Sequence, residues 1–173
     1  NNVVFTNSDI SLNDASGTTL AGSDLALIDA NSSLIEVLHA DISGTTAVLK
    51  TLVTSNPAGF SNSDISLNDA SNVVVSAADL ITIDTATKKI EVLDADISGT
   101  SVEIKTLMAN NAVLTNSDIS LNDASNVVLK ASELISIEAS TKNVEVLEAD
   151  ISGTVAELVT IVTQNININN ADI

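Results

Sequence analysis

The chain has 173 residues, and its six basic residues, all lysine, face 23 acidic ones for a net charge of −17; such a charge repels phosphate backbones and excludes nucleic acid as a partner. Hydrophobic residues make up 45% but aromatics only 1%, Phe5 and Phe60, so buried area must come from thin layers of Ile, Leu, Val and Ala rather than from an aromatic-rich globular core. No cysteine is present to staple the fold, and no apolar run approaches the roughly 18 to 20 residues of a membrane helix.

The decapeptide NSDISLNDAS at 7–16 returns unchanged at 62–71 and 116–125, and ADISGT stands at 40–45, 95–100 and 149–154. The chain is a tandem repeat, and that periodicity bears on architecture before any residue chemistry does. Units run 6–60, 61–114 and 115–168; residues 1–5 align with the end of a preceding unit and 169–173 with the start of a following one, as one continuous array. The first unit is one residue longer, and the extra residue falls in Ser55-Asn56-Pro57-Ala58-Gly59. That Pro/Gly segment is expected to be a surface loop, where insertions cost little.

In the middle unit, Ile65-Ser66-Leu67 alternates and runs into Asn68-Asp69-Ala70-Ser71-Asn72, a strand ended by a turn. Val73-Val74-Val75 follows as a short buried strand. In Ser76-Ala77-Ala78-Asp79 a serine three residues ahead of an acid predicts a capping-box helix start, with Leu80 and Ile83 on one face of a helix reaching Asp84. Ile90-Glu91-Val92-Leu93 reads as the next strand, Asp94-Ala95-Asp96 as a turn and Ile97-Ser98-Gly99 as a brief extended link. Thr100-Ser101-Val102-Glu103 opens a second helix, with Ile104 and Leu107 as its apolar pair.

Equivalent helix positions Asp79, Glu103 and Glu133 lie 24 and then 30 residues apart, giving an underlying coil of about 27 residues. Helices this short are marginal alone and must pack on the neighbouring strands. Strands joined in one direction through a helix stack in parallel. The expected fold class is a repeat solenoid, mixed β/α, with parallel strands, short helices and two coils per 54- to 55-residue unit. Its predicted core is Ile10, Leu12, Leu25, Ile28, Leu49 and Leu52, then Ile65, Leu67, Leu80, Ile83, Ile104 and Leu107, then Ile119, Leu121, Leu134, Ile137, Leu158 and Ile161.

The segments SAADLITIDTAT at 76–87 and ISGTSVEI at 97–104 resemble the SAADLxxIDxxT and ISGTxxEL phrases in tandem repeats of very large bacterial cell-surface or secreted proteins. The resemblance covers all three units. Ala21-Gly22-Ser23-Asp24 and Lys130-Ala131-Ser132-Glu133 depart from the first phrase, and Val48 replaces the acid of the second. It implies an extracellular or cell-surface array with a structural or adhesive role and no active-site residues.

Catalysis is not expected. The single histidine, His39, has Asp94 and Glu148 as its counterparts, so its place simply takes a polar group, and every carboxylate recurs where the repeat puts it. A paired-carboxylate glycosidase needs a groove that breaks such a pattern. With neither Trp, Tyr nor Arg in the chain, no small-molecule substrate is expected and no cofactor is required. Calcium is the chemical alternative, because hard cations take six to eight oxygen ligands. Alternation turns Asp9 and Asn13, Asp64 and Asn68, and Asp118 and Asn122 outward, and the turn acids Asp14, Asp69 and Asp123 recur beside them. Those nine residues are the candidate Ca2+ ligands of a calcium-stiffened adhesin stalk. Against this, Asn and Asp also favour turns and stacked ladders without any ion.

The leading expectation is a non-catalytic, rigid, acidic repeat rod of a giant extracellular bacterial protein or filament. Val3, Val4 and Phe5 at one end and Ile166, Ile168 and Ile173 at the other are in phase with the units beside them. Uncapped solenoid ends expose apolar side chains and strand edges, so the expected partner is another copy, end to end, or the continuation of a longer array.

Overall fold

The computed structural model describes residues 5–164 and 166–169, with side chains from Ser8 onward. Val3, Val4 and Ile173 lie outside the described residues. The first unit folds as β1 (Phe5–Leu12), β2 (Thr19–Ala21) and α1 (Gly22–Asp29), then β3 (Ser32–Val37), β4 (Asp41–Gly44) and α2 (Thr46–Ser55). The second repeats the order as β5 (Asp64–Leu67), β6 (Val74–Ser76), α3 (Ala77–Asp84), β7 (Lys89–Val92), β8 (Asp96–Gly99) and α4 (Ser101–Ala109). The third gives β9 (Leu114–Leu121), β10 (Val128–Lys130), α5 (Ala131–Glu138), β11 (Thr141–Val146), β12 (Asp150–Ser152) and α6 (Val155–Thr163), and β13 (Asn167–Ile168) follows. It is a mixed α/β structure of parallel strands and six short helices.

Alternation decides the strands. In β5 Ile65 and Leu67 are buried while Asp64 and Ser66 are half-exposed, and in β7 Ile90 and Val92 point inward. Two helices start as capping boxes. Thr100 and Thr154 accept from the backbone N–H of Glu103 and Glu157, whose carboxylates accept in return from the threonine N–H groups at 2.7 Å, which satisfies otherwise orphaned donors. The box expected at Ser76 does not form: Ser76 is the N-cap residue of α3 but makes no side-chain cap bond. The acid it needed is drawn elsewhere, with the Asp79 carboxylate 2.6 Å from Lys50 Nζ on α2. At the other end of α4, Asn111 takes the left-handed conformation (φ 65°) and the Ala112 N–H reaches back to the Leu107 carbonyl, a helix stop that asparagine tolerates.

The sheets step sideways at each unit boundary. Inside a unit β1 pairs with β3 (Ile10 opposite Ile35) and β2 with β4 (Leu20 opposite Ile42). Between units β4 pairs with β5 (Ile42 opposite Ile65) and β8 with β9 (Ile97 opposite Ile119). The longer sheets, β2-β4-β5-β7 and β6-β8-β9-β11-β13, therefore draw on consecutive units. The cause is local. The place beside β7 is taken by Val113, which exchanges backbone hydrogen bonds with Ile90 and Val92 at 3.0 Å. Beside β3 lies a 3-10 turn, Pro57–Phe60, and Asn56 donates its side-chain amide to the Ile35 carbonyl. With those edges filled, the incoming strand pairs with β4 or β8.

That turn corrects the surface-loop reading of the Pro/Gly segment. Pro57 and Ala58 are exposed, but Asn56 and Gly59 are buried and Phe60 is 1% exposed, one of the largest fully buried side chains. A β-carbon on Gly59 would collide with the Ile35 carbonyl and the Asn56 amide. Two strand readings also change. Of Val73-Val74-Val75 only Val75 is buried, and Val74 is 63% exposed. Ile97-Ser98-Gly99 is no mere link but the body of β8, paired on both sides. Gly99 is needed there because a β-carbon would strike Ala77 at the head of α3.

The predicted core is buried except for Ile10, Leu12 and Ile28 near one end and Leu158 near the other, which are half-buried. A single apolar cluster runs from Leu25 to Ile166 across both unit boundaries.

Candidate functional site at the unit boundaries

The nine candidate calcium ligands separate into four groups. Asp9 and Asn13 are exposed and Asp14 is half-buried, and none of these three side chains has a hydrogen-bond partner among the described residues. Asp64 and Asp118 stand on strand faces where a lysine meets each carboxylate at 3.2 Å, Lys88 and Lys142 respectively. Those ion pairs are largely solvated, so each contributes about 0 to 1 kcal/mol. The amides of Asn68 and Asn122 donate to the hydroxyls of Ser43 and Ser98 at 3.3 Å. The structure does not bring the nine together. Among the described residues no three His, Cys, Asp or Glu side chains stand close enough to share a metal ion.

Asp69 and Asp123 have a different task. Asp69 Oδ2 accepts from the backbone N–H of Thr46 at 2.8 Å and from its hydroxyl at 2.7 Å. Asp123 accepts from the N–H and hydroxyl of Ser101 at 2.8 and 3.0 Å. Both carboxylates are buried and sit at the head of a helix belonging to the preceding unit. Each satisfies an orphan donor and meets the positive end of the helix dipole, through charge-assisted bonds stronger than neutral ones. Asp14 holds the same place in the first unit.

Around these caps lies the rest of the boundary. Leu67 faces Gly44 and Leu121 faces Gly99 across the strand pairs. Lys50 on α2 meets Asp79 on α3, and Lys105 on α4 meets Glu133 on α5 at 3.0 Å. The arrangement joins a strand edge, a helix head and a helix flank of one unit to matching parts of the next. Its hydrogen bonds and ion pairs run from one unit to the next.

Other carboxylates are tuned by their surroundings. Burial raises Asp84 above its ordinary pKa, against a lowering bond donated by the Asn110 amide at 2.7 Å. Burial likewise raises Glu138, with a backbone N–H from Val144 lowering it and the charge of Asp118 raising it further. Glu157 is lowered by the backbone N–H and hydroxyl of Thr154. His39 is exposed on the turn between β3 and β4.

Sequence reasoning treated Asp69 and Asp123 as turn formers or ion ligands and missed the caps. The available signal was the pairing of each NDAS acid with the Thr46 or Ser101 that follows the preceding SGT. That pairing joins residues 23 and 22 apart in sequence, too far for a local motif. Among the described residues no helix is long and apolar enough to cross a membrane. No known protein-family model and no curated protein matches the chain.

Proposed function

We propose that this chain is a non-catalytic structural module: a solenoid of about 27 residues per coil and two coils per unit, forming a rigid acidic rod in a large extracellular or cell-surface bacterial protein or filament. One observation carries the reading. Each unit completes the one before it, since β5 and β9 extend the preceding sheet while Asp69 and Asp123 cap the preceding helix. A module whose units finish one another can be lengthened without a new fold, which is what a spacer or filament requires. The net charge of −17 keeps its flanks soluble and mutually repelling. The bacterial surface setting rests on the resemblance of the SAADL and ISGT phrases.

Lengthening the array from three units to six by duplicating residues 6–168 tests the rod. Small-angle X-ray scattering should show an unchanged cross-section and a maximum dimension growing by about 4.8 Å for each added coil. A particle that instead thickens, or a string of independently tumbling beads, would overturn the proposal.

A further inference from the structure

We draw no further inference here: the strongest candidate, the polar cleft that recurs at the two internal unit boundaries, lined by Asp41, Asp64 and Lys88 at the first and by Asp96, Asp118 and Lys142 at the second, is a cluster of acidic side chains in which nothing in the structure marks a ligand.

Discussion

Helices α4 and α6 occupy the same place in the sequence repeat and meet different fates. Both begin with their own capping box, Thr100 with Glu103 and Thr154 with Glu157, so local propensity is matched. Yet Ile104 and Leu107 on α4 are fully buried and Ser101 is held by Asp123. On α6 Leu158 is only half-buried and Val155 stands in solvent. What differs is the neighbour: α4 is followed by the turn carrying Asp123 and by Glu133 of α5. The burial of a helix here therefore depends as much on the segment that follows it as on its own residues.

The largest break in that comparison comes from the core. Ile104→Ala removes a fully buried side chain enclosed on all sides and should cost about 2 to 5 kcal/mol. Leu158→Ala, its counterpart on α6, should cost less than about half as much, because its site already opens to solvent and leaves little cavity. Urea unfolding of dilute monomer checks both, and equal costs would mean that α6 is as covered as α4.

A second break isolates the cap. Asp123→Ala leaves the N–H and hydroxyl of buried Ser101 without their acceptor and should cost about 1 to 3 kcal/mol. Asp14→Ala, the same residue of the repeat but without a hydrogen-bond partner among the described residues, should change the stability of this chain by less than about 0.5 kcal/mol. The two measurements together separate a boundary role from an intrinsic turn preference, which would make the two costs alike.

Much of this layout was legible in the sequence. Alternation located Ile65, Leu67, Ile90 and Val92, and the helical spacing located Leu80, Ile83, Ile104 and Leu107, all of which are buried. The failures share a cause. Ser76 looked like a capping-box serine until Lys50, from another helix, took its acid. Pro57-Ala58-Gly59 had the composition of a loop, but the Asn56 amide and the Phe60 ring tie it to β3 and the core. Asp69 and Asp123 resembled metal or turn residues because the helix heads they serve lie in a different unit. Patterns within a unit predict what happens within it; the boundary depends on pairings that sequence distance hides, and the sideways step of the sheets is the clearest case.

The smallest effect sharpens the comparison through pH. Asp84 closes α3, facing the Asn110 amide that follows α4, and burial raises its pKa above the ordinary 3.8. A raised carboxyl means that the folded state holds its proton more tightly than the unfolded chain, so ionisation at neutral pH opposes folding. Its unfavourable contribution is fully present above the folded pKa and is relieved as pH falls through that value toward 3.8. Asp84→Asn keeps an acceptor for the Asn110 amide and removes the buried charge. The variant should melt higher than wild type at pH 7, and the gap should narrow steadily as the buffer is acidified. Asn110→Ala should do the reverse at neutral pH, since it strips the ionised carboxylate of its donor while leaving the burial in place. Thermal melts of the three proteins across that range decide the matter: a gap between Asp84→Asn and wild type that stays constant with pH would mean that packing, not the buried charge, sets the difference.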